Sequence, residues 1–277
     1  CVMLIFIKQF EKLIMAIMPL KRSEEDQTDL VYLKAGIAAT PELFLEAARR
    51  EVDRMAGLVE TIISKTLHAI KTDSEKLFER SVEDVHAKEK ASDVLEYKIN
   101  DFLKNLTHDQ LSRDMIADAM MMFDLTNYLE KMADHGDKIA ILLKKARQLK
   151  AFEDQDYEKL ETIGLKVKKI IKDTRVTILN YNMDKERVMQ QALERERELN
   201  EMRHAFREDK TSRDFTQQQL SPVAVTLYTD ILTSFEKIGD YALNVVETTT
   251  GIREKMYKNG DKNFKASVPA KDGGRKH

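Results

Sequence analysis

The fourteen residues from Asn127, NYLEKMADHGDKIA, lie over the fourteen from Thr233, TSFEKIGDYALNVV, at an offset of 106. Asp124 falls on Asp230, Glu130 on Glu236 and Asp134 on Asp240 at that same offset. Two other stretches agree with it. Glu89, Asp93 and Glu96 fall on Glu194, Glu198 and Glu201, 105 apart, and Glu51, Gly57 and Leu58 on Glu158, Gly164 and Leu165, 107 apart. Three alignments with nearly one offset describe a duplicated unit, and a duplicated unit restricts the fold to two similar halves.

Each half reads as three helices. Only nine Gly and four Pro interrupt 277 residues, and 34% are charged against 7% aromatic with no Trp, a composition of long polar-faced helices. Thr40-Pro41 and Ser221-Pro222 pair an N-cap with Pro at the first helical position. The spacing predicts helices over about 41–71, 74–105, 107–148, 154–181, 184–209 and 222–258, the third opened by a Thr107/Gln110 capping box. Short connections make successive helices antiparallel neighbours. The expected fold is therefore all-α: two tandem three-helix bundles over 40–150 and 151–258, behind a linker at 23–39 and before a disordered basic tail at 259–277.

The first 22 residues read differently. CVMLIFI is too short to span a bilayer before Lys8, Glu11 and Lys12 interrupt it. It lacks the charged start and cleavage site of a signal peptide. Phe6, Phe10, Leu13, Ile14 and Ile17 share one face beside Lys8, Lys12, Lys21 and Arg22. That pattern suits the end of a membrane helix followed by an interfacial segment on the cytosolic side, with an ordinary core-packing helix as the alternative. A chain beginning at Cys1 reads as a piece of something longer or a processed product. One cysteine builds neither a disulfide framework nor a Cys-based zinc site, and a net charge of −2 gives no pull toward nucleic acid.

Chemistry resides in the acidic rows. Glu236, Asp240, Asn244 and Glu247 share a face of the last helix, opposite Phe235, Ile238, Ala242 and Val246. Like charges four apart repel, and no cation stands in that row. The third helix repeats the pattern with Asp124, Asn127, Glu130 and Asp134. The small residues Gly239 and Ala133 precede the matched aspartates and would admit a neighbour or an ion. A multivalent cation would turn the repulsion into attraction, and oxygen ligands suit hard ions.

EKIGDYALN and EKMADHGDK resemble the paired Glu-x-x-x-Asp signatures of the PhoU family, phosphate-uptake regulators built from two tandem three-helix bundles. The likeness covers about residues 40–258. KQFEKLIMAIMP and TPELFLEAARREVDRM resemble one branch, the cytosolic PhoU-like C-terminal domain of bacterial sodium/phosphate cotransporter-family proteins. The resemblance implies a non-enzymatic regulatory module of phosphate uptake. It implies a place on the cytoplasmic face of the inner membrane and, as partner, a membrane-embedded transporter portion of the same polypeptide. A homodimer and contact with anionic lipid are further expectations. It also implies metal, divalent or ferric: iron, zinc or magnesium. Glu130, Asp134, Glu236 and Asp240 are the first-line ligands it implies, with Asp124, Asp230, Asp93, Glu198 and Asn244 behind them.

Where the second motif has Asn244 the first has Lys138, four residues after Asp134. A local ion pair there predicts a first site that holds metal poorly or not at all. His135 reads as an ordinary exposed histidine, or else as an extra ligand. Glu83-x-x-His86 and Glu201-x-x-His204 carry the spacing of a ferritin-like di-iron oxidoreductase, but 118 residues apart they are out of step with the repeat. A metal-free helical interaction bundle is the third reading. The basic groups Lys144, Lys145, Arg147, Lys150 and Lys166, Lys168, Lys169, Lys172 face either anionic lipid or plain solvent. AMMMF at 119–123 reads as core packing.

Overall fold

The structure, a computed structural model, describes residues 28–33, 40–105, 112–180, 182–216 and 221–252. Among these the regular structure is helical throughout: α1 (Pro41–Lys71), α2 (Glu75–Lys104), α3 (Arg113–Gln148), α4 (Asp154–Leu179), α5 (Lys185–Thr216) and α6 (Pro222–Thr250).

The helix ends follow local chemistry. Thr40 and Ser221 stand as N-caps before Pro41 and Pro222, and Ser221 Oγ accepts the Ala224 N–H. Ser112 caps α3 by accepting from the Met115 N–H, so this helix opens at Arg113; Thr107 and Gln110 lie outside the described residues. At the start of α4, Asp156 returns its carboxylate to the Glu153 N–H at 3.0 Å. The last helix stops at Thr250, well before 258, because Gly251 takes the left-handed conformation at φ 73° and donates its N–H to Glu247.

Helices α1, α2 and α3 pack together, as do α4, α5 and α6, giving two roughly three-helix groups. The groups join along α1 with α4 and α3 with α6. One core runs through both: Met55, Val59, Ile62 and Ile63 of α1 meet Met122, Met132 and Ile139 of α3, Ile163 of α4 and Phe235 and Ile238 of α6. All these side chains are buried, as Met122 of the AMMMF stretch is. Burying a side chain of this size contributes about 1.5–3 kcal/mol.

The seam keeps the internal symmetry. Gly57 of α1 lies under the Arg175 guanidinium of α4, and its repeat counterpart Gly164 of α4 lies under Leu67 of α1. Arg175 forms two hydrogen bonds to Asp53, at 2.7 and 2.9 Å, tying α4 to α1. On the other side, Tyr241 of α6 meets His135 of α3 with ring centroids 5.9 Å apart, and these two residues are also repeat counterparts.

Helix α5 is polar almost all round; it packs Met189 and Leu199 on α6 and is tied to α4 by charge pairs. They are Lys166–Glu198, Lys159–Asp209, Asp173–Arg195 and a buried group at the far end. There Asp156, fully buried, accepts from Lys210 at 2.9 Å and Arg213 at 2.7 Å. These pairs keep the chain helical to Thr216, past the 209 expected from its polar sequence.

Several expectations are corrected. No helix among the described residues is long and apolar enough to cross a membrane, because each presents a charged face as well as a core face. That finding overturns the sodium/phosphate cotransporter reading. With it go the membrane-embedded transporter partner and the place on the cytoplasmic face of the inner membrane as part of an integral membrane protein. Phe6, Phe10, Leu13, Ile14, Ile17 and the tail after 258 lie outside the described residues. Of the basic groups weighed between anionic lipid and solvent, Lys144, Arg147 and Lys166 are engaged within the domain, while Lys145, Lys150, Lys169 and Lys172 are exposed. Lys144 pairs with Glu79, Lys166 with Glu198, and Arg147 donates to the carbonyls of Thr72 and Asp73 while covering the Phe78 ring at 4.4 Å.

Candidate metal centre

On α2, Glu89, Asp93 and Glu96 follow at steps of four and three, and so do Glu130, Asp134 and Asp137 on α3. Such steps stack side chains on one helix face. Because α2 packs on α3, the two acidic rows confront each other. Two groups of ligand atoms form there, each with every atom within 4.8 Å of the others: His86, Glu89 and Asp137, and Glu89, Asp93 and Asp134. Glu89 belongs to both. His86 Nδ1 stands 3.3 Å from Asp137 Oδ1 and 3.9 Å from Glu89 Oε2.

The electrostatics are those of undercompensated acid. Burial, then the charges of Asp93, Asp137 and Asp134, push the Glu89 carboxyl up to about 7. A protonated Glu89 donates a hydrogen bond to the Asp93 carboxylate. Asp93 is itself raised, by burial and then by Asp134, and burial raises Glu96 and Glu130 as well. Lys131 bridges Glu130 at 2.7 Å and Asp134 at 3.5 Å. Asp137 Oδ1 is buried and makes no hydrogen bond, with the His86 ring nitrogen 3.3 Å away. Carboxylate oxygens with one imidazole nitrogen are a donor set that fits iron or zinc, and magnesium less well because of the nitrogen.

Among the described residues the second repeat lacks this arrangement. Gln191 stands where the first has His86, and Leu243 where it has Asp137. Glu236 faces Arg203 Nε at 3.3 Å, and Asp240 faces Lys237 at 2.8 Å. Glu198 turns to Lys166 of α4, whose hydrogen bond holds its carboxyl below the usual range. With Glu194, Lys169 and Arg195 these two line a cavity of about 250 Å³ between α4 and α5. The first repeat has buried Val59 where the second has Lys166.

The expected residues are thus dispersed. Asp93 and Asp134 come together. Glu130 stands beside them through Lys131. Glu236, Asp240 and Glu198 each have a basic partner. Asp124 is exposed, and Asp230 and Asn244 are half-buried outside any such group among the described residues. Lys138 is exposed, and the lysine that pairs with Asp134 is Lys131 instead. His135 is no exposed histidine: it is half-buried against Tyr241, and burial, then Lys138, lower its pKa. The space above Gly239 holds Leu199 rather than an ion. The di-iron reading fails on geometry. His86 joins Glu89 and Asp137, whereas Glu83 is exposed, His204 bonds Arg203 and Glu201 pairs with Arg197. The sequence reading used Glu89 only as a repeat marker and passed over Asp137; the signal for both was the same four-and-three spacing on two adjacent helices.

The sequence profile of the PhoU domain matches residues 52–143 and 160–249. The chain belongs to the PhoU family. The crystal structure of PhoU from Pseudomonas aeruginosa superposes with a TM-score of 0.66 at 18% identity, over 75% of this chain and 96% of that one. At that identity the likeness is one of fold. No curated protein sequence matches the chain. PhoU-family domains are regulatory, non-catalytic modules, and this one is such a module.

Proposed function

We propose that this PhoU domain is a metal-responsive regulatory module whose first repeat takes iron or zinc between α2 and α3. The observation that carries the reading is the pair of ligand groups sharing Glu89. Bound metal would supply the positive charge that these acids lack. Glu89, Asp93 and His86 would hold it from α2, and Asp134 and Asp137 from α3, with Glu130 beside them. Loading links an outer helix to a seam helix, so it stiffens the face that α2 presents. The expected repeat bounds, 40–150 and 151–258, are retained in this reading.

The test is a thermal melt of the chelated chain with and without added Zn²⁺ or Fe²⁺. Stabilisation by metal is expected for the wild type and not for Glu89→Gln with Asp93→Asn. Equal melting temperatures with and without metal in the wild type would defeat the reading.

A further inference from the structure

We propose that Arg203 is a built-in cation that takes the place of metal in the second repeat, so that the two acidic rows of this domain are unequal by construction. The contrast with the first row draws on the function proposed above. Arg203 and Glu236 face each other at 3.3 Å with side chains only 15% and 16% exposed. A guanidinium seated there supplies the charge that an ion would bring, without leaving the chain. Its repeat counterpart is Lys98. That lysine reaches instead to Asp29 at 3.2 Å and to the Thr28 carbonyl at 2.9 Å, leaving Glu130 to Lys131.

Two further differences separate the rows. Lys166 of α4 draws Glu198 toward the cavity between α4 and α5, while its matched residue in the first repeat, Val59, is apolar and buried. Gln191 and Leu243 stand where His86 and Asp137 complete the ligand groups of the first row. Lys237 holds Asp240 at 2.8 Å as its counterpart Lys131 reaches Asp134 at 3.5 Å, so that pair is common to both repeats and the asymmetry rests on the other positions. The second row retains the family's acidic motif with its charges already answered from within.

The experiment counts Mn²⁺ bound per chain, from the loss of the free-ion EPR signal, on the whole chain after chelation and dialysis. Glu236→Gln is expected to leave the wild-type count unchanged. Arg203→Ala is expected to raise it by at least one, with the gain abolished in the Arg203→Ala, Glu236→Gln double variant. Loss of bound Mn²⁺ on Glu236→Gln alone, or an unchanged count in a folded Arg203→Ala chain, overturns the proposal. Arg203→Gln gives the same readout if the alanine variant shows no helical melt. A wild type that binds no Mn²⁺, or whose count survives Glu89→Gln with Asp93→Asn, defeats the first-repeat reading; the Arg203 variants still decide this one.

Discussion

Arg203 Nε stands 3.3 Å from a Glu236 carboxylate oxygen, whereas the matched Lys98 turns from its acidic row to Asp29 at 3.2 Å. Acids of the two rows should therefore respond differently. Glu236→Gln leaves a largely buried guanidinium without its counter-charge and should cost about 2 kcal/mol. Glu89→Gln in the metal-free chain removes one of several crowded carboxylates and should be neutral or stabilising. Urea melts of the chelated protein at pH 7.5 measure both.

The pH dependence follows from Glu89. Its folded carboxyl titrates near 7, against an ordinary value of 4.5, so the folded chain holds this proton more tightly than the unfolded one. The contribution is full below 4.5 and is lost as pH rises through about 7. Burial raises Asp93, Glu96 and Glu130 too, and they act with the same sign. Metal-free protein should accordingly lose stability from pH 5 to pH 8, and Glu89→Gln should flatten that slope. Calorimetric melts across the range provide the check.

Asp156 is the carboxylate between Lys210 and Arg213, and it is fully buried. Asp156→Ala removes both ion pairs and the bond to the Glu153 N–H, leaving a buried lysine without that carboxylate. A loss of about 3–5 kcal/mol is expected. Hydrogen exchange should place the loosening first in the last turns of α5.

Gly136 of α3 lies against Ile62 of α1, and a Cβ there would collide with the Ile62 γ-methyl. Both residues are packed within the core region of the first repeat. Overpacking of this kind costs about 1–3 kcal/mol, against about 1 kcal/mol gained from alanine's helix preference. Gly136→Ala should lower the melting temperature, and Ile62→Ala added to it should cost less than the two changes summed.

Much of the fold was legible. Thr40-Pro41 and Ser221-Pro222 open α1 and α6 as their chemistry dictates, and Phe235, Ile238, Ala242 and Val246 are all buried. Gly251 marked the end of α6 and was passed over. The continuation of α5 beyond 209 was hidden, because charge pairs to α4 hold it and a single helix's apolar spacing does not report them. The site was half legible for the same reason. A row of acids along one helix can be counted, but Arg203 answers Glu236 from another helix, and Lys166 answers Glu198 from a third. Such cross-helix partners depend on rotation and depth, which side-chain spacing in one segment leaves open.

His135 and Tyr241 occupy one repeat position and face each other across the α3–α6 seam. Two identical subunits meeting through this face would have to place the same residue on both sides, and two imidazoles or two phenols would be the only choices. Fusion of the halves into one polypeptide lifts that constraint. Each side can change alone, so an imidazole can meet a phenol at the axis, and one half can lose a ligand set while the other retains its own.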